Sequence, residues 1–134
     1  MLTRVGRSES VPLLINWRDI EMNDNQITIA ELKEKILHFN EARDWTKWHN
    51  ALHLAISINL EASELLEIFQ WCGEADADEA ARGADREHFL EELADVVIYC
   101  IELATAYDVD IAAAIEDKMV KNAKKYPAPQ DSVC

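Results

Sequence analysis

Two pairs of acidic side chains carry the strongest chemical signal in this 134-residue sequence. Glu61 and Glu64 lie three residues apart within an almost continuous apolar run from Leu52 to Leu66, and Glu92 and Asp95 repeat that spacing within a second run from Phe89 to Ile101. On a helix, residues three apart are neighbours on one face, so each pair presents two carboxylates side by side. Ionised carboxylates in apolar surroundings are costly unless paired with a cation or bound to metal. No Lys or Arg lies between Trp48 and Gly73, and none interrupts the second run. A bound cation is the obvious remedy. A solvated acidic face is the common explanation for one such pair, but two pairs in two apolar helices of one small chain favour metal. An all-oxygen donor set suits Mg²⁺ or Mn²⁺, whereas zinc and non-haem iron sites recruit His or Cys. The Glu-x-x-His pattern of ferritin-like di-iron bundles is missing. Its nearest approach, Asp85-x-x-His88, falls at the start of a helix, away from the acidic pairs.

Four helical segments are expected to position these groups. Thr28-Ile29-Ala30-Glu31 has the form of a capping box, and Ile29, Leu32, Ile36 and Phe39 follow at helical spacing, giving a first helix that ends near Ala42. After a break at Asp44-Trp45-Thr46, Thr46 is a candidate N-cap for a second helix reaching Cys72, stopped by Gly73. The polar stretch 73–84, bounded by two glycines, reads as a loop that can hold a short helical turn. A third helix runs from about Asp85 to Tyr107. Asp110 then caps a fourth, from Ile111 to about Lys124, whose last turns are rich in lysine and which Pro127 ends. The expected fold class is all-α, a four-helix bundle.

Composition narrows the function classes. The length is that of one domain, 49% of residues are hydrophobic, and three Gly and three Pro leave little punctuation for a many-stranded fold. A formal net charge of −13 repels phosphate backbones, so no nucleic-acid partner is expected. A small phosphorylated ligand stays compatible if cations bridge it to the protein. Cys72, Cys100 and Cys134 have no metal-ligand spacing and read as reduced thiols of a cytoplasmic protein. The apolar stretch Val11 to Ile15 is too short for a membrane span. Residues 1–26, with Arg4, Arg7 and Arg18, read as an N-terminal arm or extension; residues 27–127 form the domain, and 128–134 a tail.

Around the acidic pairs the sequence resembles a family. Glu61-Ala-Ser-Glu64, followed after 27 residues by Glu92-Leu-Ala-Asp95, is similar to the Glu-x-x-Glu…Glu-x-x-Asp signature of the MazG-like all-α nucleoside triphosphate pyrophosphohydrolases. The flanking words, 64–71 and 91–99, together with Arg43-Asp-Trp45 and the stretch 118–127, resemble the dCTP pyrophosphatase branch, and the likeness covers about residues 28–127. The resemblance implies a hydrolase that converts a (deoxy)nucleoside triphosphate to the monophosphate and pyrophosphate, in nucleotide-pool sanitation, as a homodimer or a dimer of dimers. It implies Mg²⁺, or Mn²⁺, held by Glu61, Glu64, Glu92 and Asp95, with Glu64 the choice for general base. Glu67 and Glu91 are supporting candidates. Trp45 and Trp71 match positions that line a base pocket; Lys118, Asn122 and Tyr126 match positions that hold phosphates and share one stripe of the last helix. Dipole compensation explains Lys118 equally well. Where relatives carry Pro, a basic residue and Asn after His49-Asn50, this chain has Ala51, Leu52 and His53, which leaves base and sugar preference open. His53 reads as a core histidine. The competing function is a non-catalytic acidic helical interaction module, and a dUTPase-like enzyme of the same fold would differ only in substrate.

Overall fold

The computed structural model describes residues 22–129. Most of the expected N-terminal arm, and Cys134 with the end of the tail, lie outside the described residues. Within them the chain is helical throughout, with no strand: α1 (Ile29–Glu41), a 3₁₀ turn (Thr46–Trp48), α2 (Ala51–Glu67), α3 (Glu74–Arg82), α4 (Arg86–Ala106) and α5 (Ile111–Lys125).

Local chemistry sets the helix ends. At α1 the expected capping box is complete: Glu31 N–H donates to Thr28 Oγ1 at 3.2 Å, and Thr28 N–H donates to the Glu31 carboxylate at 2.8 Å. Asp110 caps α5, its carboxylate accepting from Ala113 N–H at 3.0 Å. The second helix begins later than Thr46. Thr46 opens the 3₁₀ turn instead, and Asn50 is the cap, its side-chain oxygen accepting from His53 N–H at 2.9 Å. The helix also stops short of Cys72. The N–H groups of Phe69, Gln70 and Cys72 bond three residues back, tightening the chain into turns. The stretch expected to be a loop contains α3, whose first turn carries Glu74 and Asp76, favourable at the positive end of the helix dipole, and which rests on α4 through the buried Ala80.

Cross-helix contacts fix the packing. Tyr107 Oη accepts from Ala51 N–H at 2.8 Å at one end of the α2–α4 contact, and the Phe69 and Phe89 rings meet edge-to-face at 6.3 Å at the other. The order of these contacts makes α2 and α4 antiparallel. Ala51 N–H is one of the donors a helix start leaves unpaired, so the tyrosine both ties the helices and satisfies it. Helix α1 also runs antiparallel to α4. Lys33 donates through Nζ to Val109 C=O, and Asn40 Nδ2 donates to Glu102 Oε1 at 2.6 Å. The core sits where these three helices meet: Leu54 at 1% exposure, with Ile101 and Ala104. Burying one such leucine contributes about 2 kcal/mol. Among the described residues no helix packs extensively along α5.

Both hairpin corners use an aspartate in the left-handed region, Asp44 at φ 56° and Asp108 at φ 52°. At the end of α4, Val109 N–H returns to Ala104 C=O at 2.8 Å and Asp108 N–H to Thr105 C=O at 3.3 Å, the paired closure that ends many helices. Glycine adopts that conformation without a Cβ penalty. Asp108→Gly is therefore expected to stabilise the protein by roughly 0.5 kcal/mol, allowing for the glycine's extra freedom when unfolded. Thermal denaturation checks it; a lower melting temperature would show that the Asp108 carboxylate contributes more than the backbone relief.

Candidate metal centre

Antiparallel packing brings the two acidic pairs to the same level. Glu61 on α2 faces Glu92 and Asp95 on α4, and one carboxylate oxygen from each of the three lies within 4.8 Å of the others. Octahedral Mg²⁺ holds oxygens at about 2.1 Å, which places opposite ligands about 4.2 Å apart. Small side-chain turns inward would close the set.

Burial grades the three. Glu92 is 8% exposed, Glu61 half-buried and Asp95 the most open. Glu92 Oε1 is 3.0 Å from His88 Nε2, one turn earlier on α4, whereas Oε2 is buried with no hydrogen-bond partner. An orphaned buried carboxylate oxygen beside two further carboxylates is the arrangement a cation would satisfy. His88, expected to lie away from the acidic pairs, thus touches one of their members. The i, i+4 spacing of His88 and Glu92 was visible in the sequence and is the signal that could have linked them.

Desolvation raises the Glu61 pKa above the ordinary carboxylate value, and the charges of Glu64, Asp95 and Glu92 raise it further. Glu64 is thus close enough for Glu61 to feel its charge, yet it is exposed and outside the three-oxygen cluster. Two turns of α4 extend the site. Tyr99 hydrogen-bonds Ser57 across the α2–α4 contact, and its phenol is pushed up, first by burial and then by the charges of Glu102, Glu61 and Asp95. Glu92, Asp95, Tyr99 and Glu102 follow at spacings of three, four and three, so they form one stripe.

The other expected site residues are spread more widely. Trp45 is 49% exposed and meets Phe39 edge-to-face at 6.0 Å, with the Arg43 guanidinium 3.4 Å above the Phe39 ring. Trp71 is 90% exposed in the turns after α2. Lys118 and Asn122 are exposed on α5 and Tyr126 follows them at its C-cap, so the expected stripe exists, but on a helix without extensive contacts to α2 or α4. His53 is exposed, not in the core: its Nδ1 is 3.1 Å from Trp48 C=O and 3.2 Å from Asn50 Nδ2, part of the α2 cap. Asn40 and Glu102, 62 residues apart in sequence, form a buried pair that joins α1 to α4. No local pattern announces Asn40.

A model of the MazG-like family matches residues 56–133. The dCTP pyrophosphatase 1 of Rattus norvegicus is 34% identical over 101 residues, covering 75% of this chain and 59% of that protein. The Homo sapiens dCTP pyrophosphatase 1 is also 34% identical, over 104 residues, 75% of this chain and 60% of that one. The chain thus spans about three-fifths of the length of these curated relatives. Among solved structures, a pyrophosphatase from Archaeoglobus fulgidus superposes with a TM-score of 0.71 at 34% identity, covering 81% of this chain and 100% of that one.

The carboxylate cluster is expected to cost stability in the absence of cations. A carboxyl group whose folded pKa exceeds its unfolded value binds more protons when folded, so stability falls as pH rises through that window. In EDTA the melting temperature is expected to fall as pH rises from the ordinary value of 4.5 through the raised Glu61 pKa. Glu61→Gln should flatten that fall and melt higher than the unsubstituted protein at neutral pH. Identical pH profiles for the two proteins would show that the cluster exerts no repulsion.

Proposed function

This chain belongs to the MazG-like family, and from that premise we propose that it hydrolyses a (deoxy)nucleoside triphosphate to the monophosphate and pyrophosphate. The observation that carries the reading is the facing of Glu61 with Glu92 and Asp95, including the orphaned buried Glu92 oxygen. These three residues would hold Mg²⁺, for which Mn²⁺ is the chemical substitute. When bound, the metal offsets triphosphate charge and lowers the pKa of coordinated water.

The chain's own groups divide the remaining work. Glu92 and Glu61 anchor the cation from the two helices, and His88 holds one Glu92 oxygen so that the other points away from it. Glu64, beside the cluster but outside it, is free to take the proton from the attacking water. Water oxygen bonds to the α-phosphorus, the bond from that phosphorus to the bridging oxygen breaks, and pyrophosphate leaves. Trp45 offers an indole face for stacking on a base, and Trp71, at the opposite end of the α2–α4 contact, would do so across a subunit interface. Lys118, Asn122 and Tyr126 would receive the phosphates.

Self-association is part of the same reading. Leu52, Ile56 and Leu60 on α2, Leu93 and Val97 on α4, and Met119 on α5 are all 40% exposed or more. So much large apolar surface on two helices that also pack together supports a homodimer or dimer of dimers, in which α5 finds its packing partner and a four-helix bundle closes. Residues 27–127 would form the catalytic domain, 1–26 an added arm and 128–134 a tail. Among the described residues no helix is long and apolar enough to cross a membrane. Free Cys72 and Cys100, and a soluble nucleotide substrate, fit a cytoplasmic enzyme of nucleotide-pool sanitation.

With Mg²⁺ and a panel of triphosphates, the protein is expected to release pyrophosphate and not orthophosphate, and EDTA should abolish release. Glu64→Gln should lower kcat by roughly 10²-fold or more while leaving Mg²⁺-induced thermal stabilisation in place. Neither phosphate product from any triphosphate, together with no Mg²⁺-dependent rise in melting temperature, would favour the non-catalytic interaction module.

A further inference from the structure

Two turns along α4 from the acidic cluster, a second polar group opens onto a cleft of about 310 Å³ between α1, the 3₁₀ turn and α4. Leu37, Asn40, Thr46, His49, Glu102 and Thr105 contribute to its walls. Asn40 is 2% exposed and Glu102 8%, each nine-tenths buried or more. Asn40 Nδ2 donates to Glu102 Oε1 at 2.6 Å. The second Glu102 oxygen, Oε2, is buried and has no hydrogen-bond partner, and His49 Nε2 stands 3.9 Å from it, beyond hydrogen-bond distance. A buried acceptor in a residue of the cleft wall has lost its hydration without regaining a hydrogen-bond donor, an expensive arrangement that a protonated His49 or a donor entering the cleft would relieve. Helix packing does not require it, since the Asn40 bond uses the other oxygen.

Its position relates the cleft to the metal centre. Glu102 follows Asp95 by seven residues, two helical turns or about 10 Å of rise, on the same stripe through Tyr99. That is the scale of a nucleotide from its α-phosphate to the far edge of its base. Resting on the proposed triphosphate hydrolysis, we propose that Asn40 and Glu102 are the specificity-determining pair, with the open Glu102 oxygen accepting a hydrogen bond from an exocyclic amino group of the base. Asn40 fixes the polarity of the pair, because its amide donates to Oε1 and leaves Oε2 as an acceptor only. Bases that carry an amino group at that edge satisfy it. Uracil and thymine present a carbonyl oxygen there, which would face the carboxylate oxygen with no proton between them.

The test uses pairs that differ by this exchange, dCMP against dUMP and dAMP against dIMP, titrated by calorimetry into the full chain without metal or turnover. In each pair that binds, the amino member should bind roughly ten-fold tighter or more, the effect of leaving one buried acceptor unpaired. Glu102→Gln should reverse the preference. Asn40 would hold the new amide's oxygen and turn its NH₂ toward the cleft, where a carbonyl is the better partner. The double variant Asn40→Ala, Glu102→Ala removes both polar groups together, avoids an orphaned charge, and should bring the ratio near one. Equal binding of dCMP and dUMP by the unsubstituted protein overturns the assignment, as does an unchanged ratio in a folded Glu102→Gln or in the double variant. Failure of the hydrolysis reading looks different: the amino preference would persist while no triphosphate releases pyrophosphate with Mg²⁺.

Discussion

Like charges on facing helices repel, and in this molecule they do so where the packing is most extensive. Helices α2 and α4 bury Leu54, Ile101 and Ala104 along their contact, and within the same contact Glu61, Glu92 and Asp95 converge. Apolar burial of about 2 kcal/mol per large side chain keeps the helices together against that repulsion. Their antiparallel direction, fixed at one end by Tyr107 on Ala51 N–H and at the other by Phe69 on Phe89, brings residue 61 level with 92 and 95. A shift of one helical turn would separate the carboxylates by about 5.4 Å and dissolve the site. The acidic cluster therefore depends on hydrophobic contacts at either end of the helix pair as much as on the acids themselves.

Two local rules in the sequence pointed to the carboxylates that the fold brings together, Glu61, Glu92 and Asp95, although Glu64 lies outside their cluster. An i, i+3 spacing puts two acids on one face, and an apolar run without Lys or Arg argues that the face is not simply solvated. Caps followed the same logic: Thr28 with Glu31, and Asp110, are read from four consecutive residues, and both form as expected. What failed depended on competition between elements. Thr46 is a good cap by type, but the chain spends Thr46–Trp48 on a 3₁₀ turn, and Asn50 wins because its side chain reaches His53 N–H. Helix α3 was missed because glycines and acids at 73–84 look like a loop. Alanine's propensity, acids at its N-terminus and a seat for Ala80 on α4 outweighed that signal. Non-local pairs were invisible in principle. Asn40 and Glu102 meet only because α1 folds back on α4, and neither has a neighbour in sequence that marks it.

Within one chain, α5 illustrates the opposite situation, a helix well specified locally and little specified by tertiary contacts. Its cap is formed and its last turn carries Lys124 and Lys125 where the dipole favours cations, yet almost all of its residues are exposed. Most helical stability in proteins comes from packing an amphipathic face. A fifteen-residue helix with Ile115, Met119 and Val120 each exposed by more than 45% has such a face and nothing extensive against it. The same condition holds for the outer sides of α2 and α4, so the apolar surfaces on three helices require one common explanation.

Taken together, the polar groups on α4 argue for a division of labour along a single helix face. Its N-terminal half carries Glu92 and Asp95, where negative charge accumulates beside Glu61. Its C-terminal half carries Glu102, clamped by one hydrogen bond to Asn40, with its other oxygen buried and without a hydrogen-bond partner. Tyr99 sits between, fixed to Ser57 and held protonated by burial and by the acids on both sides. A rigid helix transmits the distance between the two ends without slack, which a loop could not do. On the proposed reading, a ligand that satisfies both ends brings a cation to the carboxylates at one and a hydrogen-bond donor to Glu102 at the other. Two such requirements about two helical turns apart would select for length and polarity at once.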